Sequence, residues 1–122
     1  VRKKIHQTYK RELEGIPAHI KRTAEKGSSN YWLNLLYIDT DQITPEDIVT
    51  RLQNAEIESR PAWKPMHMQP LFKDATFFSH NDDGEPSVDG IVFAHALCLP
   101  SGDGMSMEEQ RETIDELKAC FE

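Results

Sequence analysis

The sequence predicts an α+β domain, a small sheet covered by helices on one side. Three observations carry this. Apolar residues recur at helical spacing near both ends of the chain. Short branched and aromatic runs lie between them. Two capping signatures mark helix starts where the pattern changes.

The elements follow in order. Ile5, Tyr9, Leu13 and Ile16 form one stripe, which predicts a helix over 2–16, ended by Gly15 and Pro17. Residues 24–29 are small and polar and read as a loop. Segment 30–39 is aromatic and branched and too short for a typical helix. It reads as a buried strand, with Tyr31 and Trp32 in the core. Thr44-Pro45-Glu46-Asp47 is a helix start. Thr44 can cap, Pro45 suits the first helical position, and Asp47 stands where a capping box needs an acid. Ile48, Val49, Leu52 and Ala55 make its apolar face, and 57–60 reads as a short returning strand.

Pro61, Pro65 and Pro70 forbid a regular helix or central strand over 61–73, so this segment is a shaped loop. Residues 79–87 are polar, and a short helix over 87–95 is weakened by Gly90. Leu97-Cys98-Leu99 is a strand stopped by Pro100. Ser106-Met107-Glu108-Glu109 opens a final helix whose apolar face is Ile114, Leu117 and Phe121.

Bulk properties bound the function. The chain of 122 residues suits one domain, 1–122. Fourteen Lys and Arg against 21 Asp and Glu give a net charge of -7, which argues against a nucleic-acid partner. A hydrophobic share of 38% is lean and fits a piece of a larger protein, a hint strengthened by Val1 opening inside a helical pattern. No run has the ~20 apolar residues of a membrane span, and the start lacks the apolar core of a signal peptide. Cys98 and Cys120 match no zinc or redox spacing and read as reduced, mostly buried thiols, consistent with a cytoplasmic setting. His6, His19, His80 and His95 have no metal-ligand spacing. Asn81-Asp82-Asp83-Gly84-Glu85 lacks the spacing of a calcium loop and reads as an acidic loop. Pro100-Ser101-Gly102 lacks the glycines and lysine of a phosphate loop and reads as a strand-to-helix connection.

Arg60-Pro61-Ala62-Trp63-Lys64-Pro65-Met66-His67-Met68-Gln69-Pro70 is the most informative stretch, followed by Leu97-Cys98-Leu99-Pro100-Ser101-Gly102 and Met105-Ser106-Met107-Glu108-Glu109-Gln110. These runs resemble, in order and spacing, the C-terminal region of DegT/DnrJ/StrS-type sugar aminotransferases. Three positions depart from the family's usual residues: Ala96 replaces a Gly, and Val88 and Asp89 replace a small residue and a Glu.

The resemblance implies the C-terminal small domain of a fold-type I pyridoxal-phosphate-dependent transferase. The cofactor would be held mainly by a large N-terminal domain. The Schiff-base lysine would lie upstream, so no residue here takes a catalytic role. The expected partners are that large domain, a second subunit in a homodimer, and a nucleotide sugar. The Trp-Lys-Pro-Met-His form resembles enzymes acting on UDP-linked 4-keto-6-deoxy sugars for surface polysaccharide or glycoprotein synthesis. A stand-alone nucleotide-sugar-binding or regulatory module is the alternative.

The matched run supplies the candidate substrate-binding residues: His67, Lys64, Arg60, Trp63 and Gln69. The resemblance places His67 at the substrate mouth. Its imidazole can donate to or accept from a sugar hydroxyl or phosphate oxygen, or can tie down the loop. Lys64 can face a diphosphate as a point charge or remain solvated. Arg60 can grip a diphosphate bidentately or anchor the loop through carbonyls. Trp63 offers a flat face to a ring, or packs in a core or domain interface. Gln69 can bond a sugar hydroxyl or the backbone.

Overall fold

The computed structural model describes residues 1–81 and 84–122. Asp82 and Asp83, part of the expected acidic loop, lie outside the described residues. Among the described residues, four helices and four strands occur in the order α1 (Arg2–Glu12), β1 (Ala18–Ile20), β2 (Asn34–Ile38), α2 (Pro45–Asn54), β3 (Arg60–Pro61), α3 (Val88–His95), β4 (Ala96–Leu99) and α4 (Met107–Ala119). Two 3-10 turns, Met66–Met68 and Pro70–Phe72, shape the proline-rich segment. Such turns are what closely spaced prolines permit when an α-helix is blocked.

The strands form one sheet in the order β1-β2-β4-β3, with every neighbouring pair antiparallel. Register aligns Ile20 with Leu36 and Leu36 with Leu97, so these side chains share a face. That face, with Ala18, Ile38 and Leu99, meets Ile5, Tyr9 and Leu13 from α1 and its following turn, Ile48 and Leu52 of α2, and Ile114 and Leu117 of α4 in one core. The other face carries Leu35, Tyr37 and Cys98. There α3 buries none of its residues, and the Tyr37 ring stacks 5.6 Å from His95. Three helices therefore seal one face, as expected, and leave the other partly open.

Both expected capping boxes form. The Asp47 N–H donates to Thr44 Oγ1 at 3.2 Å, and the Thr44 N–H returns to Asp47 Oδ2 at 3.0 Å. The Glu109 N–H donates to Ser106 Oγ at 3.1 Å, and the Ser106 N–H returns to Glu109 Oε2 at 2.6 Å. Helix α2 ends in a Schellman motif. The Ile57 N–H reaches Leu52 O at 2.8 Å and the Glu56 N–H reaches Gln53 O at 3.0 Å, with Glu56 at φ 60.

Four expectations are corrected. Helix α1 stops at Glu12 rather than 16, although Leu13 and Ile16 still pack on the core. The strand of 30–39 is only Asn34–Ile38. Tyr31 adopts φ 55, which breaks the extended run, and Trp32 is exposed rather than in the core. Asn30 Oδ1 and Ser29 Oγ accept the Trp32 and Tyr31 N–H groups, which holds this turn. The returning strand is Arg60–Pro61, later than 57–60, because the Schellman turn uses Glu56 and Ile57. Cys98 and Cys120 are free but only half-buried. Strand β1 was not expected: three residues after Pro17 give too little alternation to recognise.

Buried polar groups link the layers. Asn34 is fully buried. Its Oδ1 lies 2.8 Å from His6 Nδ1, and its Nδ2 donates to Ser101 Oγ at 3.0 Å. Gln110 Nε2 donates to Ile5 O at 2.9 Å between α4 and α1. Pro100-Ser101-Gly102 is thus the strand-to-helix connection that its sequence predicts, held from beneath by Asn34.

A candidate substrate-binding face

The open face of the sheet carries the candidate site. Leu33, Leu35, Ala62 and Cys98 floor a cleft of about 670 Å³ walled by Trp63, Phe77, Phe78 and Val92, with Lys21 and His80 among its polar lining residues. A second cleft of about 450 Å³ shares Phe77, Phe78, Ser79 and Ser87 and is lined by His67. The two clefts adjoin along these shared residues.

Large exposed apolar side chains include Trp63, Phe77, Phe78 and Val88 of the clefts, and Trp32 beside Trp63. Trp32 is 58% exposed, Trp63 70%, Leu71 84% and Phe78 86%, with Met66, Met68, Phe77, Val88 and Ile91 also open to solvent. The two tryptophan rings lie 6.2 Å apart, tilted by 41°. Isolated exposed apolar residues are ordinary, but the grouping of Trp32, Trp63, Phe77, Phe78 and Val88 marks a contact surface.

The five expected residues divide. His67 is half-buried. Its ring stacks on Phe77 with centroids 3.8 Å apart and planes 18° from parallel. Nε2 lies 3.4 Å from Ser87 Oγ, and Nδ1 lies 3.5 Å from Asp89 Oδ2. Trp63 walls the larger cleft and is exposed, so it has no place in this domain's own core. Gln69 Nε2 donates to Lys64 O at 3.0 Å, the backbone alternative, and ties the loop to itself. Arg60 points to the Glu58 carboxylate at 3.1 Å through Nε, not to loop carbonyls. Lys64 is exposed. Arg60, Lys64 and Gln69 line neither cleft.

Phe77, Ser87 and Asp89 complete the surroundings of His67 and were not singled out as site residues. They lie ten to 22 positions along the chain from His67. Tertiary packing, not sequence proximity, brings them together. Asp89 stood out merely as a departure from the family's Glu. Its carboxyl is held below the ordinary Asp range first by a hydrogen bond with Ser87, and further by the Gly90 N–H and the nearby His67 ring. Burial pushes the Cys98 thiol up, which makes it a poor nucleophile.

The cofactor that the resemblance implies needs a lysine in a desolvated pocket facing a carbonyl carbon. None of this chain's lysines is buried. The residues of this domain therefore do not fit pyridoxal phosphate by themselves. Among the described residues no three His, Cys, Asp or Glu side chains gather as a metal set requires. No helix of the described residues is long and apolar enough to cross a membrane.

A model of the DegT/DnrJ/EryC1/StrS aminotransferase family matches residues 1–118. EpsN of Bacillus subtilis (strain 168), classed as a pyridoxal phosphate-dependent aminotransferase, is 46% identical over 95 residues, 78% of this chain and 24% of EpsN. GDP-perosamine synthase of Vibrio cholerae is 25% identical over 122 residues, covering 96% of this chain and 31% of that enzyme. Among solved structures, S. venezuelae DesV, crystallised with a ketimine intermediate, superposes with a TM-score of 0.80 at 18% identity, over 99% of this chain and 31% of DesV. The DesV likeness establishes the fold. The chain spans about a quarter to a third of the length of these relatives.

Proposed function

Since the chain belongs to the DegT/DnrJ/EryC1/StrS aminotransferase family, we propose that it is the C-terminal small domain of a pyridoxal-phosphate-dependent enzyme that aminates a nucleotide-linked 4-keto-6-deoxy sugar. Its role is to close over a site whose cofactor is held by the rest of the protein. UDP is the proposed carrier, on the form of the Trp63-Lys64-Pro65-Met66-His67 run, and surface polysaccharide or glycoprotein synthesis is the proposed destination.

One observation carries the reading. The domain seals one sheet face with three helices and leaves the other bearing Trp32, Trp63, Phe77 and Phe78 in the open. An apolar face of this kind suits a large domain or second subunit that packs there and shares a site. His67 lies within that face, which supports its assignment to the substrate side. Lys64 and Arg60 stand on the exposed rim, where a diphosphate could meet a point charge and a guanidinium fork.

The test uses the longer reading frame that contains this chain. Its product, with pyridoxal phosphate and glutamate, should convert a UDP-linked 4-keto-6-deoxy sugar to the amino sugar, and more slowly the GDP- or TDP-linked forms. The 122-residue chain alone should convert none. Turnover by the chain alone would refute the assignment of the cofactor to the rest of the protein. A longer product that binds nucleotide sugars without turnover would replace this reading with that of a binding module.

A further inference from the structure

The geometry points to Asp89 as a positioning residue that fixes the tautomer of His67, so that a bare Nε2 faces the cleft and accepts a hydrogen bond from a ligand hydroxyl. This rests on the proposed function, in which His67 meets a nucleotide sugar, and it names which part of that substrate His67 takes.

Three constraints act on the ring. Phe77 stacks on it at 3.8 Å and fixes its plane. Asp89 divides its oxygens: Oδ1 accepts the Gly90 N–H at 3.0 Å, and Oδ2 faces His67 Nδ1 at 3.5 Å. A carboxylate only accepts, so the nitrogen facing it is the one that carries hydrogen. Nε2 is then a lone-pair acceptor. Its near neighbour, Ser87 Oγ at 3.4 Å, gives its own hydrogen to the Asp89 carboxylate and accepts the Gly90 N–H at 3.3 Å. Nε2 is therefore left for a ligand.

The consequence is selective. An acceptor nitrogen takes a sugar hydroxyl, which can donate. In this uncharged form it gives nothing to a phosphate oxygen, which can only accept. The diphosphate falls instead to exposed cations such as Lys64 and Arg60, outside this cleft. Gly90 preserves the arrangement. A Cβ there would meet Ser87 Oγ at 3.0 Å, and Ser87 would have to shift.

The test reads the tautomer directly. The full chain is labelled with 15N-histidine and studied at about pH 8.5, above the ordinary histidine range. The His67 signals are identified by their loss in His67→Gln. The Nδ1–H form is expected in the parent chain and in Asp89→Glu. Asp89→Ala should move the ring to the Nε2–H form that free histidine favours. Unaltered amide dispersion confirms the fold of each variant. An Nε2–H ring in the parent, or an unchanged tautomer in Asp89→Ala, overturns the proposal.

A second arm uses the longer enzyme. Asp89→Ala should raise KM for the nucleotide sugar about three- to ten-fold, the size of one lost hydrogen bond, while inhibition by free nucleoside diphosphate stays the same. An equal loss of diphosphate binding contradicts the division of labour. An Nδ1–H ring in a protein that turns over no nucleotide sugar supports the positioning by Asp89 and overturns only the functional reading beneath it.

Discussion

The hydroxyl of Tyr9 donates to the main-chain oxygen of Pro100 across 2.9 Å, so the first helix carries the turn that follows the central strand. The ring is fully buried, and burial pushes its phenol well above the ordinary value of 10. Tyr9→Phe keeps the packing and removes the donor that the part-buried Pro100 carbonyl has here. It should cost about 1–3 kcal/mol in urea unfolding at neutral pH. Because the folded state holds the proton more tightly, this group stabilises fully below its unfolded pKa. That contribution is lost as pH rises above about 10. The alkaline part of the stability curve should therefore flatten in Tyr9→Phe. An equal alkaline decline in both proteins would assign the loss to other groups.

Glu56 occupies the left-handed position that closes α2, where glycine is the favoured residue. Glu56→Gly should stabilise the chain by about 0.5–1 kcal/mol, the relief of backbone strain less the added freedom of the unfolded chain. Thermal melting of the two proteins side by side decides it. A lower Tm in Glu56→Gly would mean that the Glu side chain contributes more than its backbone costs.

Asp47 and Glu109 have carboxyls held below their ordinary range. Hydrogen bonds from Thr44, side chain first, act on Asp47, and those from Ser106, backbone first, act on Glu109. A depressed folded pKa means stability present above the unfolded pKa and lost as pH falls through the folded one. Amide exchange in the first turns of α2 and α4 should accelerate below about pH 4. At neutral pH, Ser106→Ala should cost about 1 kcal/mol and raise exchange in α4 only. Uniform acceleration along the chain would contradict local control by the caps.

The aromatic face predicts self-association of the isolated chain through Trp63 and Phe78. The double variant Trp63→Ser, Phe78→Ser should sediment as a monomer at concentrations where the parent does not, with little change in unfolding free energy. Side chains this exposed contribute little to the fold. A large loss of stability would place these rings inside the domain's own packing.

Both caps, all four helices and the central apolar strands were legible because each rests on local chemistry. A capping box needs only residues three apart, and the stripe of Ile5, Tyr9 and Leu13 needs only helical spacing. Strand β1 was not legible. Three residues gain their identity from pairing with Leu36, Tyr37 and Ile38, a partner that sequence order does not announce. Tyr31 and Trp32 misled for the opposite reason. Their β propensity is real, but side-chain turns from Ser29 and Asn30 override it. Around the candidate site, the motif pointed to His67 and Trp63, whereas Phe77, Ser87 and Asp89 reach His67 through tertiary packing that sequence order does not announce.

The strand order β1-β2-β4-β3 also has a temporal meaning. Strand β4 lies between β2 and β3, yet Ala96–Leu99 come after both in the chain. During synthesis β2 exposes an unpaired edge, and β3 has nothing to bind, until that late segment emerges. The ribosome must therefore deliver most of this domain before its sheet can close, and a chaperone that shields Asn34–Ile38 would act within that interval.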